Sequence, residues 1–260
     1  MAERVALITG AARGMGAATA RRLSRDGWKL VLADRAEDDD ALGYGLASRS
    51  ELDQVARECG AIAVVADVRD QPALDAAVAV AVERYGGLDA AVAVAGAIVG
   101  GQSAWETDDE AWDAMVGINL EGVWRLSKAA VPALLLRPEP RQGRFVAVSS
   151  SGGTLGLPLL AAYSAAKHGV LGFIRSLAAE LGPHGITANA VAPGSTRTAM
   201  LQASAAVYGL TEVEEFAVHH QLLRLIEPDE VAAMIQWVCG LESSAVTGAV
   251  LPVDAGMTAG

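Results

Sequence analysis

Short β-type runs recur along this chain with a longer helical pattern between successive runs, and that alternation restricts the fold more than any other feature. Strands separated by helices cannot pair as tight hairpins; they lie parallel, with each helix returning the chain across a sheet face. Strands are expected near Arg4–Thr9, Lys29–Asp34, Ile62–Asp67, Leu88–Ala95, Gly143–Ser149, Thr187–Ala192 and Ala249–Val253. Helices are expected near Gly14–Asp26, Glu51–Glu58, Gln71–Tyr85, Asp109–Leu136, Ala161–Leu181 and Pro228–Cys239. Seven strands with no shift in composition leave no place for a boundary, so residues 1–260 read as one α/β domain. The composition agrees: 52% hydrophobic with only 5% aromatic suits a sheet covered on both faces by small, closely packed side chains.

Two segments break the alternation. Residues 35–50 are long for a strand-to-helix loop and carry Glu37-Asp38-Asp39-Asp40 followed by Gly43-Tyr44-Gly45-Leu46-Ala47. Residues 198–227 hold Met200, Leu201, Tyr208, Phe216 and Leu222 at roughly helical spacing. They read either as a mobile lid over a ligand or as a surface helical pair or subunit contact.

Charge narrows the partners. A net charge of −11 and an isoelectric point near 4.8 argue against nucleic acid and anionic membranes, which need clustered lysine and arginine. No apolar stretch reaches the ~18 residues of a membrane span. The N-terminus enters Arg4-Val5-Ala6-Leu7-Ile8 with no apolar signal region, so a cytoplasmic location is expected. No metal is expected. Consecutive acids at 37–40 cannot converge on one ion, and His168, His184, His219 and His220 show no ligand spacing joined to a third group. Cys59 and Cys239, each near a helix end, read as small buried residues.

Thr9-Gly10-Ala11-Ala12-Arg13-Gly14-Met15-Gly16 leaves the first strand and opens the first helix. Glycines there allow a sharp turn and close approach to a phosphate, while the helix N-terminus offers free N–H donors. Asp34 ends the second strand, 18 residues beyond Gly16, where a carboxylate accepts both adenosine ribose hydroxyls and repels a 2′-phosphate. That favours NAD over NADP, although Arg13 and Arg35 are positioned to meet such a phosphate. Asp67-Val68 ends the third strand, facing an adenine amino group or capping the next helix. Ala95-Gly96 ends the fourth, at the carboxyl edge where ligands of open sheets collect.

Tyr163 and Lys167 stand four apart on one helix face. A neighbouring ammonium favours the phenolate, drawing a group that titrates near pH 10 toward use as a general acid or base. Among the three serines that end the fifth strand, the spacing of thirteen to Tyr163 selects Ser150 as a hydrogen-bond partner for the same substrate oxygen.

Taken together, Thr9-Gly10-x-x-x-Gly14-x-Gly16, Asn119, Ser150, Tyr163-x-x-x-Lys167 and Pro193-Gly194 resemble the short-chain dehydrogenase/reductase family over nearly the whole chain. The resemblance implies a Rossmann-type, doubly wound seven-stranded domain, hydride transfer with nicotinamide, and a homotetramer. By position it implies that Asn119 anchors a water relaying protons through Lys167, and that Lys167 and Tyr163 also meet the nicotinamide ribose. It further implies that Pro193-Gly194, with Thr196 and Thr198, hold the nicotinamide carboxamide. One position departs: Val94-Ala95-Gly96 stands where the family carries Asn-Ala-Gly, so a central side-chain hydrogen bond is lost. The insertion at 35–50 is similar to that of carveol-dehydrogenase-like, mycofactocin-associated members. This implies a covered NAD re-oxidised by an external redox carrier.

Two alternatives remain: an NADPH-dependent carbonyl or 3-ketoacyl reductase, and a non-enzymatic NAD-sensing regulator. Asp34 and the acidic charge oppose the first, and the intact set Asn119, Ser150, Tyr163 and Lys167 opposes the second. For substrate, Ile98, Val99, Leu155, Leu157, Leu160, Met200, Leu201 and Phe216 are candidates for an apolar pocket. Such a pocket takes a small hydrophobic, alicyclic secondary alcohol or ketone.

Overall fold

The computed structural model describes residues 3–259. Seven strands form one sheet: β1 Val5–Thr9, β2 Lys29–Asp34, β3 Ile62–Val65, β4 Ala90–Ala93, β5 Arg144–Val148, β6 Thr187–Pro193 and β7 Val250–Val253. Their order is β3-β2-β1-β4-β5-β6-β7, and every pairing is parallel. The order reverses between β1 and β4, which opens a crevice above their carboxyl ends.

Alternate residues of each strand supply two cores. Val5 and Leu7 face the side covered by α3 (Gln71–Tyr85), α4 (Asp109–Val116), α5 (Gly122–Leu135) and α6 (Ala161–Leu181). Ala6 and Ile8 face the side covered by α1 (Gly14–Arg25), α2 (Arg49–Cys59) and α8 (Pro228–Cys239). Many of these contacts are alanine, so the helices approach the sheet closely, and their backbone ends stand near the crevice.

Three expectations are corrected. Asp109–Leu136 is not one regular helix: a π-helical turn, Gly117–Glu121, separates α4 from α5. The apolar pattern runs through this turn, so periodicity conceals it, but the extra residue per turn swings Asn119 inward. Asp67 does not cap α3. Asp70 takes that role, accepting from the Ala73 N–H, while Asp67 turns to Arg69. The fourth strand pairs only over Ala90–Ala93, because Val94 to Gly96 peel away toward the crevice.

The segment 198–227 forms α7 (Ala199–Val207) and a 3-10 stretch, Val213–His219. Leu201, Ala205, Phe216 and Leu225 give it a small core of its own. Among the described residues, no helix is long and apolar enough to cross a membrane, and no cluster of three or more His, Cys, Asp or Glu is arranged to hold a metal.

Candidate active site

Two adjoining cavities open along the carboxyl edge of the sheet. The first, about 640 Å³, is lined by Gly10, Arg13, Gly14, Met15, Gly16, Asp34, Arg35, Asp67, Val68, Ala95, Gly96 and Thr198. Every residue assigned by sequence to the dinucleotide's phosphate and adenosine portions therefore borders one space. Gly10 lies at φ +66°, and a Cβ there would come 2.6 Å from the Ala95 backbone, so the turn tolerates no side chain. A Cβ on Gly16 would lie 2.0 Å from the Gly10 carbonyl oxygen. Arg13 occupies the α1 N-cap, and its side chain caps none of the first-turn N–H groups, leaving them for an anion.

Asp34 accepts from the Ala12 N–H at 3.0 Å through Oδ2 and from the Ala36 N–H at 3.3 Å through Oδ1. Burial raises its pKa above the ordinary carboxylate value, with the Ala12 hydrogen bond opposing. Asp67 pairs with Arg69 at 2.6 Å and lies 3.7 Å from Arg35.

The insertion closes over this space. Arg13 donates to the Gly45 carbonyl at 2.9 Å, and the Ile98 N–H donates to the Tyr44 hydroxyl at 3.2 Å. Leu42, Tyr44, Leu46 and Ala47 complete the lining. Sequence reading gave Tyr44 no role; its one signal was an aromatic between two glycines in an over-long loop.

The second cavity, about 760 Å³, holds Ser150, Tyr163, Pro193, Gly194, Thr196 and Thr198 at one end. Ile98, Leu155, Leu157, Leu160, Met200, Leu201 and Phe216 line it as expected, but Val99 does not. Tyr208, Leu210 and Met257 join them, with Tyr208 stacked edge-on against Phe216 and its hydroxyl donating to the Pro158 carbonyl at 2.8 Å. Met257 follows the last strand, and the pattern of residues 198–227 gave no sign of it. Both cavities share Met15, Thr198 and Met200, so the two spaces meet beside Gly96 and Tyr163.

Ser149 spends its hydroxyl on the Lys167 carbonyl, at 3.0 Å. Ser150 instead accepts from the Gly152 N–H at 3.0 Å and faces Tyr163, keeping its own proton to donate. Lys167 is buried, donates to the Val148 carbonyl at 3.0 Å, and stands 5.7 Å from the centre of the Tyr163 ring. Burial lowers its pKa from 10.5 to about 8.

The expected downward pull of Lys167 does not set the direction of the phenol's shift. Burial raises the Tyr163 pKa, the Ser150 hydroxyl opposes that rise, and Tyr44 adds to it. The ammonium is directed at Val148 rather than at the phenol, which limits its influence.

Asn119 is wholly buried. Its amide donates to the Ala97 and Met115 carbonyls, each at 3.0 Å, and accepts from the Ala97 N–H at 3.2 Å. The Met115 carbonyl is four residues back, so the side chain bonds a backbone group of the helix beside the π-turn. A Cβ on Gly96 would sit 3.0 Å from Asn119 Oδ1 and 3.5 Å from Lys167 Nζ. Gly96 therefore keeps open one gap bordered by both side chains. At the substituted position, Val94 is buried against the α1 face, and Thr9 Oγ1 accepts from the Ala95 N–H at 3.5 Å.

His220 holds the loop after β6. The Ser195 N–H donates to its Nε2 at 3.1 Å and its Nδ1 meets the Arg224 carbonyl at 2.5 Å, a pattern that requires the neutral ring protonated at Nδ1. His168 bonds its own helix through the Ser164 carbonyl, and His184 lies in a 3-10 turn.

Residues 10–258 match the family described as Enoyl-(Acyl carrier protein) reductase. The chain is similar to the (-)-trans-carveol dehydrogenase of Rhodococcus erythropolis, at 36% identity over 98% of this chain and 97% of that one. It is 39% identical to the monensin polyketide synthase putative ketoacyl reductase of Streptomyces virginiae, over 98% and 97%. It is 38% identical to the trans-4-hydroxycyclohexanecarboxylate dehydrogenase of Sinomonas cyclohexanicum, over 100% and 95%. The crystal structure of carveol dehydrogenase from Mycobacterium avium in complex with NAD superposes with a TM-score of 0.94 at 35% identity, covering 100% of this chain and 99% of that one.

Proposed function

This chain belongs to the short-chain dehydrogenase/reductase family, and on that footing we propose that it is an NAD-dependent dehydrogenase interconverting a hydrophobic secondary alcohol and its ketone. The observation carrying this reading is the meeting of the two cavities at Tyr163, Ser150 and Lys167. NAD, when bound, supplies the hydride acceptor and, in its oxidised form, a positive charge. The first cavity suits it: a glycine-walled turn with free helix N–H groups for the pyrophosphate, Asp34 for the ribose, and space kept by Gly96. Arg13, Met15, Asp67 and Val68 complete the adenosine side, and Pro193, Gly194, Thr196 and Thr198 the carboxamide side.

Tyr163 exchanges a proton with the substrate oxygen while Ser150 donates a hydrogen bond that holds that oxygen as charge develops. Burial keeps the phenol protonated at neutral pH, which equips it as the acid in ketone reduction. In alcohol oxidation it accepts the proton, and the Lys167 ammonium stabilises the resulting negative charge. Asn119 and Lys167, bordering one gap, anchor the water that returns the proton to solvent.

The substrate cavity is mostly apolar, and among the described residues no lysine or arginine lines it. That favours a neutral alicyclic alcohol over a carboxylate. The fastened insertion supports a tightly held NAD recycled by an external redox carrier such as mycofactocin; the homotetramer rests on the family resemblance alone and the cytoplasmic location on the sequence alone. A ketoacyl reductase activity is the second reading, favoured by the polyketide relative; Asp34 and the net charge of −11 oppose its NADPH and acyl-carrier requirements.

Mass spectrometry of the natively purified protein tests the proposal together with turnover of a panel of cyclic secondary alcohols. NAD(H) is expected to co-purify and a cyclic alcohol to reduce it. Co-purified NADP(H), or turnover of acyl thioesters alone, would overturn it.

A further inference from the structure

The adenosine side of the first cavity holds more positive charge than an NAD site needs. Arg35 and Arg69 both line it, close to Asp34 and Asp67. A guanidinium there is the group that would receive a 2′-phosphate, forming two charge-assisted hydrogen bonds. Left free, these two arginines would work against the discrimination that Asp34 provides.

Neither is free. Asp39, from the insertion, pairs with Arg35 and, at 2.7 Å, with Arg69. Arg69 is also held by Asp67 at 2.6 Å, and Arg35 lies 3.6 Å from Glu37. The two acids of the insertion that pair with Arg35 differ in setting: the Asp39 side chain is 10% exposed and that of Glu37 is 73% exposed. An ion pair at the exposed position contributes little, whereas the sheltered one is screened far less.

Asp39 is also fixed from behind. It is the N-cap of the turn Asp40–Leu42, accepting from the Ala41 N–H at 3.2 Å. Burial pulls its pKa upward, but the Ala41 N–H and the Arg69 and Arg35 guanidiniums outweigh that and leave it below the ordinary carboxylate value. Around the adenosine edge the two arginines therefore face three acids, Glu37, Asp39 and Asp67, in addition to Asp34.

We propose that Asp39 is a second determinant of NAD over NADP, acting by occupying the guanidiniums of Arg35 and Arg69. The proposal rests on the NAD-dehydrogenase reading and deepens it. Asp34 repels a 2′-phosphate directly; Asp39 engages two of the cations that would attract it, Arg35 and Arg69. The insertion thereby sets cofactor choice, a role separate from covering the cleft.

The test is a set of dissociation constants measured by calorimetry on the full chain freed of nucleotide, for NAD, NADP, 5′-AMP and 2′,5′-ADP. Asp39→Asn retains the cap oxygen and the volume but removes the charge. We expect at least tenfold tighter NADP and 2′,5′-ADP, with NAD and 5′-AMP within threefold of the parent. Adding Arg35→Ala to Asp39→Asn should remove most of that gain. An unchanged NADP constant in Asp39→Asn overturns the proposal, as does equal weakening of NAD and NADP, which marks Asp39 as a structural support only. A gain that survives Arg35→Ala and Arg69→Ala together overturns the stated route. If the parent protein itself prefers NADP, the NAD reading fails first; if it prefers NAD while Asp39→Asn matches it, only this proposal fails.

Discussion

Lys167→Met should make the protein more stable while disabling it, and the size of the effect follows from the burial of one ammonium. The folded protein lowers Lys167 from 10.5 to about 8. At about 1.4 kcal/mol per tenfold change in the proton equilibrium, keeping that lysine charged costs the fold about 3 kcal/mol. The folded pKa lies below the unfolded one, so the cost is fully present below about pH 8. Between about pH 8 and 10.5 the unfolded chain holds more protons, so stability rises with pH through that window. Methionine fills nearly the same space without charge. The variant loses the 3.0 Å donation to the Val148 carbonyl, which offsets about 1 kcal/mol. A net gain of about 2 kcal/mol at pH 7 remains, a Tm increase of about 4 °C for a chain this long. Denaturant titrations of both proteins at pH 7 and pH 9.5 measure it, and the gap should narrow at the higher pH. Turnover should fall about 10²–10⁴-fold. A variant less stable than the parent at pH 7, a gap that does not change with pH, or retained turnover would refute the reasoning.

Two further changes probe the cleft from different sides. Gly96→Ala introduces a Cβ 3.0 Å from Asn119 Oδ1 and 3.5 Å from Lys167 Nζ. It should fold within about 1 kcal/mol of the parent yet lose at least tenfold in kcat/KM; unchanged kinetics would show that the gap is not used. Tyr44→Phe removes the hydrogen bond from the Ile98 N–H, worth about 1 kcal/mol. Release of bound NADH, followed by its fluorescence, should accelerate about fivefold, and an unaltered release rate would separate the insertion from cofactor retention.

Much of this was legible from the chain because parallel strands and their helices carry strong periodic signals. Gly10, Gly14, Gly16 and Asp34 occupy defined places in the first βαβ unit, and the structure brings them to one cavity. Contacts made across the crevice were not legible. Tyr44 meets Ile98, 54 residues away, and Tyr208 meets Pro158, 50 residues away; no local pattern encodes either pairing. The π-turn around Asn119 was hidden because its residues continue the apolar periodicity of α4 and α5. Whether Asp67 faces the cleft or caps the next helix stayed open in the sequence, because Asp70 lies three residues beyond it and only the fold shows which carboxylate faces the helix end. Burial also set the direction of the Tyr163 pKa, and spacing to Lys167 alone suggested the opposite.

The central claim is that Tyr163 passes the proton at the point where the two cavities meet. Tyr163→Phe removes one oxygen from a buried ring and leaves the residues assigned to the pyrophosphate and the adenosine ribose in place. The decisive measurement pairs a calorimetric NAD dissociation constant with single-turnover reduction of bound NAD by a cyclic secondary alcohol that the parent oxidises. The expected result is a dissociation constant within threefold of the parent and no detectable NADH formation. NADH formation at near-parent rate, with NAD bound, would contradict it.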